Sequence, residues 1–339
     1  MLFKNVAIEA LAYEIPPNRV TSADIEAQLA DTIPRLGIKE GKIEKLTGIR
    51  ERRFWDVGVT PSSIATLVAQ KVIEKSGIDP HRIGCLISTS ITKDYFEPSV
   101  ASLIHGNLKL SSHCMNFDIT NACLGFLNGI NTIGLMIESG VIEYGLVVSG
   151  ECIRAGVEAT IQLLQSPTVT DQIFNNSFAS LTVGDGAVAM LLCHKDCSKS
   201  GHLIDGSVNL SATEHNQLCI ADSTYMKTDS HALLIAGAEL TLKTWQLASE
   251  TFEKWGDEFT ALYVPHQVST KQITALASFL GLDLQKVYLT LSTLGNMASA
   301  ALPLSLALAA EEGRMNSGDQ VVLVGLGSGL NCSIMRLAW

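Results

Sequence analysis

Short β-branched runs recur along this chain with room for one helix between most of them, and that alternation limits the possible folds more than any other feature. The runs VAIEALAY (6–13), GCLISTSI (84–91), MNFDIT (115–120), YGLVVSGE (144–151) and GAVAMLLC (186–193) occupy the first half. Helix-length stretches such as SSIATLVAQKVIEKSG (62–77) and CLGFLNGINTIGLMIESG (123–140) separate them. This is the pattern of a layered α/β protein. The second half repeats it with LIDGSVNL (203–210), FTALYVPHQ (259–267), KVYLTLSTLG (286–295), QVVLVGLGSG (320–329) and CSIMRLAW (332–339), and helices are predicted over 231–254, 269–281 and 298–313. Two similar α/β halves are therefore expected, although residue-level similarity does not establish a repeat. The short, polar, glycine-containing KDCSKSGH near 195–202 fits a boundary between a half 1–198 and a half 199–339. Region 152–180 is helical in pattern and interrupts the first half, an insertion expected to form a lid or part of a dimer surface.

The 339 residues, 47% of them hydrophobic, can bury one large core or two fused ones. The opening MLFKNVAIEALAYEIPP has one lysine, then Glu9 and Glu14, and no small-residue cleavage site after an apolar block, so it reads as a strand rather than an export signal. The other apolar runs are broken well short of a bilayer span, and a cytoplasmic protein without a transmembrane segment is expected. The eight cysteines, at 85, 114, 123, 152, 193, 197, 219 and 332, do not make a disulfide framework in such a chain. Cys193, His194 and Cys197 lack a second ligand pair at finger spacing, so no metal is expected. A formal net charge of −10 argues against nucleic acid as the main partner. The basic stretch from Lys42 to Arg53 is the exception. It suits either a phosphorylated ligand or a solvated helix followed by a strand start.

Three polar residues stand where strands give way to helices. If a helix begins near Asn121, that residue caps it and Cys123 falls in the first turn, where free backbone N–H groups favour a thiolate. The bland alternative is a small buried hydrophobe. VPHQVSTKQI places His266 at a strand end, with Ser269 able to cap the next helix, and LGNMASAALP places Asn296 in a glycine turn before a helix of small residues. A lone histidine is usually structural and a Gly-Asn pair is usually a turn. A cysteine, a histidine and an asparagine at three such junctions together make a stronger case, because strand ends are where catalytic groups converge in layered α/β proteins.

These segments resemble the thiolase superfamily, in its 3-oxoacyl-(acyl-carrier-protein) synthase III branch, over nearly the whole chain. The resemblance rests on NACLGFLNGI around Cys123, VGDGAVAMLL at 183–192, PHQVSTKQI around His266, LGNMASAALP around Asn296, TGIRERR at 47–53 and GLGSGLN near the end. It implies a five-layered αβαβα fold of two similar halves, a homodimer, and Cys123, His266 and Asn296 as the acyl-condensing triad. The segment TSITKDYFEPSVAS (89–102) most resembles the bacterial olefin-biosynthesis branch, which joins two fatty acyl-CoAs head to head. In that branch the glutamate matching Glu97 reaches the partner's active site and serves as the base. Lys42 and Leu46 stand where carrier-protein synthases commonly carry a Trp and Arg clamp for CoA, so CoA docking differs in detail. Lys271 matches a basic docking position, Arg50 lies in the basic segment, and Gly327 belongs to a backbone floor near the cysteine.

The resemblance thus implies a non-decarboxylative Claisen condensation of two long-chain acyl-CoAs, with CoA thioesters as substrates and no cofactor. Its product is a 2-alkyl-3-oxoacyl thioester or the derived β-keto acid, passed to downstream pathway enzymes. Decarboxylative condensation with malonyl-(acyl-carrier protein), or acyl transfer or binding alone, are the other readings.

Overall fold

Strand β1 (Val6–Glu14) buries both faces: Val6, Ile8 and Leu11 enter one core, and Ala7, Ala10 and Ala12 enter another. A register shift between Ile8 and Ala10 carries the alternation past Glu9. The other strands of this half are β2 (Ile83–Ser88), β3 (Met115–Asp118), β4 (Tyr144–Glu151) and β5 (Gly186–His194). The second half supplies β6 (His202–Ser211), β7 (Thr260–Pro265), β8 (Gln320–Gly327) and β9 (Asn331–Ala338). The computed structural model describes residues 1–222 and 224–339.

Among the described residues these strands form one nine-stranded sheet, ordered β7-β8-β9-β6-β1-β5-β4-β2-β3. Only two residue pairs, Ala7 with Leu203 and Ile8 with His202, join the halves across β1 and β6. Either side of that seam, the connectivity is the same. The first strand pairs antiparallel with the last, the last antiparallel with the fourth, and the fourth parallel with the second. The third strand then lies parallel on the second, as β3 on β2 in the first half and as a single bridge from Val287 to Tyr263 in the second. The doubling that residue identities do not establish is thus visible in the strand order.

Five layers follow from where the apolar faces go. Helices α1 (Pro61–Ser76) and α2 (Val100–Leu108) cover the outer face of the first half-sheet through Val68, Val72 and Ile104. Helix α3 (Gly125–Glu138) packs in the central core with the later helix Ala301–Glu311, between inner residues of both half-sheets such as Val188, Met190, Val321 and Leu323. The outer face of the second half-sheet is covered by Ser230–Thr251 and Thr270–Leu280. In the 152–180 insertion, helices α4 (Arg154–Leu164) and α5 (Asp171–Ser177) pack through Val157, Ile161 and Phe174 against Ile25, Leu29 and Ile43. Completing the helices labelled here are α6 (Ser230–Thr251), α7 (Thr270–Leu280) and α8 (Ala301–Glu311).

One expected strand is absent. The stretch 286–295 forms a 3₁₀ turn over Leu284–Lys286, the one bridge at Val287, and a helical turn over Leu291–Leu294. The buried Gln267 side chain takes the backbone groups that a ladder would use. Its Nε2 donates to the Tyr288 carbonyl at 3.0 Å, and its Oε1 accepts from the Thr290 and Leu291 amides at 2.9 and 3.0 Å. Those bonds satisfy the segment's buried polar groups without a strand partner.

Candidate active site

The cysteine turn departs from the expected helix start. α3 begins at Gly125, with Leu124 in the cap position and no side-chain cap, so Cys123 precedes the helix rather than lying in its first turn. Asn121 does not cap it either. Its Nδ2 donates to Asn128 Oδ1 at 2.8 Å, and its Oδ1 accepts from Asn331 Nδ2 at 3.1 Å. These bonds brace a sharp turn in which Ala122 has a φ of +47°, a conformation that disfavours a residue with a Cβ. The chain beneath has little room for a side chain. A Cβ on Gly327 would stand 3.0 Å from the Asn121 carbonyl oxygen and 3.1 Å from Leu124 Cβ. Gly327 is therefore the floor on which the turn rests.

His266 follows β7 directly, and its amide donates to the Val324 carbonyl at 2.7 Å. It is thus tied to the same end of β8 that approaches the cysteine turn. Ser269 occupies the cap position of α7 but makes no cap bond, because its hydroxyl donates instead to the Leu46 carbonyl at 3.2 Å. Asn296 is nearly buried, bridged to Val183, with its Oδ1 accepting from the Ala298 amide at 3.0 Å. That bond leaves Nδ2 to face an acceptor. Three residues on, Ser299 donates to Thr89 at 3.3 Å, and a Cβ on Gly125 would lie 3.2 Å from the Ser299 hydroxyl. The Asn296 turn therefore borders the first residue of α3, and the three expected triad residues sit at one end of the paired half-sheets.

Cys123 and His266 are only partly exposed. Burial, with a contribution from the Glu151 carboxylate and a smaller one from Cys219, pushes the Cys123 thiol up to about 12. Burial alone pulls His266 down to about 4, and its Nδ1 is enclosed without a hydrogen-bond partner. The imidazole is neutral at physiological pH. The free-enzyme thiolate expected from a helix N-terminus is overridden by desolvation.

Glu97 lies elsewhere, exposed on the loop between β2 and α2. The feet of that loop are fastened: Asp94 accepts from the Ser62 amide and hydroxyl at 3.0 and 2.7 Å, and Asp118 accepts from Lys93 at 3.1 Å and from the Ala101 amide at 2.9 Å. Between them Tyr95 and Phe96 project, Phe96 with its whole surface exposed at 103%.

The basic patch of 42–53 is mostly dismantled by folding. Lys42 sits over the Phe174 ring, Arg52 is fully buried, and Arg53 pairs with Glu51, which leaves Lys45 and Arg50 exposed. Arg50 donates to the Ser292 hydroxyl at 2.9 Å. Lys271 is exposed in the first turn of α7, whose Thr270 packs against Gly48. Arg50 and Lys271 thus flank one seam on the surface.

Glu151, which the sequence reading does not single out, and Asp185, which reads as structural in the turn VGDGAV, are both buried carboxylates. Glu151, fully buried at the end of β4, accepts from the Ile91 amide at 2.9 Å and from the Thr92 amide and hydroxyl at 3.1 and 3.0 Å. Burial raises it to about 7. Asp185 accepts from the Trp55 and Ile153 amides at 2.9 and 2.6 Å and is raised by burial to about 6. A polar residue ending an apolar strand is the only sequence signal for Glu151, whereas Asp185 stands just before β5.

Two half-sheets of one strand order around a shared helical layer, with a cysteine turn wedged between the first helix and the floor of the second half, define the class of thiolase-fold acyltransferases. Residues 117–211 match the 3-oxoacyl-(acyl-carrier-protein) synthase III family and residues 254–339 match its C-terminal domain. The chain is 41% identical over 339 residues, all of both chains, to the acyl-CoA:acyl-CoA alkyltransferase of Xanthomonas campestris. A crystal structure of a glutamate-to-alanine variant of Xanthomonas campestris OleA superposes with a TM-score of 0.98 at 41% identity, covering 100% of this chain and 99% of that one. A cysteine-to-serine variant of the same protein, with lauric acid and lauroyl-CoA bound, gives 0.97 at 40% identity over 100% of both chains. This chain belongs to the acyl-CoA:acyl-CoA alkyltransferase family within the synthase III group.

Proposed function

We propose that the protein joins two long-chain fatty acyl-CoAs by a non-decarboxylative Claisen condensation, as the first step toward a long-chain olefin or related hydrocarbon. In the first half-reaction the Cys123 sulfur attacks one thioester carbonyl. A thiol held near 12 loses its proton only as the carbon–sulfur bond forms, and neutral His266 accepts that proton and returns it to the departing CoA sulfur. The Cys123 amide, which lies against its own sulfur, stabilises the charge on the carbonyl oxygen.

In the second half-reaction a base removes a proton from the α-carbon of the second acyl-CoA. The carbanion attacks the acyl-Cys123 carbonyl, and collapse yields a 2-alkyl-3-oxoacyl-CoA and expels the cysteine sulfur, which regains a proton as the protonated base is reset. His266 N–H and Asn296 Nδ2 hold the enolate oxygen, and Glu97 takes the proton. The observation that carries this reading is the placement of Glu97, exposed on a projecting tip with anchored feet. Such a tip suits a base that serves a second subunit. The open edge of β3 beside it, with Met115 and Phe117 exposed, supports a homodimer across this edge. Arg50 and Lys271 flank the entry for the CoA phosphates, and no cofactor enters the scheme. We assign the reaction to the cytoplasm, in keeping with eight unpaired cysteines; no helix among the described residues is long and apolar enough to cross a membrane. Downstream enzymes must reduce the ketone and remove the carboxyl carbon.

The test is product mass spectrometry with one long-chain acyl-CoA and no malonyl donor. A doubled-chain β-keto acid, or its ketone, that is lost in Cys123→Ala and Glu97→Ala is expected. Condensation only after malonyl-carrier protein is added would replace this reading with the decarboxylative one.

A further inference from the structure

Glu151 places a buried carboxyl group in a site where nothing in the reaction scheme calls for one. It is fully buried, and its two oxygens accept from four donors: the Ile91 amide, the Thr92 amide and hydroxyl, and the Ser149 hydroxyl at 3.3 Å. Thr92 extends the junction, because its hydroxyl also accepts from the Cys152 amide at 3.0 Å. Ile91 and Thr92 are the first residues of the loop whose tip bears Glu97. Just before them, Thr89 meets α3: a Cβ on Gly125 would lie 3.1 Å from its carbonyl oxygen. Ser88, the last residue of β2, accepts from the Ile119 amide at 2.9 Å on the approach to Cys123.

We infer that Glu151 is a positioning residue for the proton-abstraction step, its carboxylate fixing the foot of the Glu97 loop against the wall of the Cys123 pocket. The inference rests on the condensation reading above. A carboxylate is the one side chain of this length that accepts from two adjacent amides without adding a donor. Glutamine fills the space but turns an NH₂ toward one of them, so one buried amide loses its acceptor. The loop foot then shifts, and the shift reaches Glu97 but not the cysteine turn, which is braced separately by Asn121, Asn128 and Asn331. Glu151 touches no reacting atom in this account and acts through the loop.

The two half-reactions are read separately in Glu151→Gln and Thr92→Val. Acylation of Cys123 is followed by intact-protein mass spectrometry. Proton abstraction is followed as deuterium loss from myristoyl-CoA deuterated at its α-carbon, in recovered substrate and in product. Deuterium loss is expected to fall by about 10- to 100-fold in Glu151→Gln, and by less in Thr92→Val, while acylation does not fall in either variant. A parallel fall of acylation and deuterium loss in both variants means a general packing role and overturns the inference. Deuterium loss abolished in Glu97→Ala but kept in Glu151→Gln overturns this inference alone, whereas deuterium loss that survives in Glu97→Ala overturns the condensation reading with it.

Discussion

Cys123 should be an unreactive thiol until substrate arrives, and its alkylation rate against pH measures this directly. Burial and the Glu151 carboxylate raise the thiol from 9.0 to about 12, which corresponds to about 4 kcal/mol against the thiolate. The uncapped N-terminus of α3 acts the other way. A helix terminus contributes about 0.3–1 kcal/mol, and up to about 2 in partly buried geometry, and Cys123 lies two residues outside the first turn. At least about 2 kcal/mol therefore remains against ionisation, and the pKa stays above about 10. The thiolate fraction at pH 7 is then below about one in a thousand.

With iodoacetamide and peptide-level mass spectrometry, the rate at Cys123 should climb about tenfold for each pH unit from 6.5 to 9.5 without levelling. Glu151→Gln, which removes an opposing charge where Glu151 is ionised, should raise the rate above about pH 7 and change it less below. His266→Ala should change it little, because an imidazole held near 4 offers no positive charge to the sulfur. A plateau below about pH 9 in the wild type would refute the reasoning. It would mean that a resting thiolate–imidazolium pair, or the helix terminus, outweighs desolvation.

The two buried carboxylates predict an alkaline loss of stability. Glu151 and Asp185 sit at about 7 and about 6 in the fold, above their unfolded values, so the stability they contribute is complete below about pH 4 and is lost as pH rises through 6 and 7. For Glu151 the difference is about 3 kcal/mol, and urea melts of Glu151→Gln should show a smaller decline between pH 5 and 8 than the wild type does. A parallel decline in both proteins would count against this assignment. Gly327→Ala should push the new methyl against the Asn121 carbonyl and Leu124, both within 3.1 Å. Cys123 acylation should drop about tenfold or more with a modest change in melting temperature, and an unchanged acylation rate would show that the turn yields freely.

The fold was legible wherever a strand's apolar pattern decides its place. β4 and β5 are seen at almost the bounds read from YGLVVSGE and GAVAMLLC, because a strand buried on both faces announces itself by continuous hydrophobicity. The stretch KVYLTLSTLG has the same composition and is not a strand. Its backbone groups are claimed by Gln267, about twenty residues earlier in sequence, and no local pattern encodes a side chain arriving from another element. The cysteine turn failed for a related reason. Asn121 was read as a local cap, but its partners are Asn128 one way and Asn331 the other, the latter at a separation of 210 residues.

The same limit explains which carboxylates could be read. Glu97 is conspicuous in sequence because the surrounding segment resembles a known one, and it is exposed on the loop between β2 and α2. Glu151 ends an unremarkable apolar strand, yet it is fully buried, joins β4 to the loop of Glu97, and opposes ionisation of Cys123. An ionisable group is retained in such a place at a desolvation penalty of several kcal/mol. Four donors on its oxygens offset part of that penalty, and an apolar residue there would leave the Ile91 and Thr92 amides unsatisfied. The loop foot therefore requires an acceptor, and where that acceptor is charged it opposes ionisation of the Cys123 thiol.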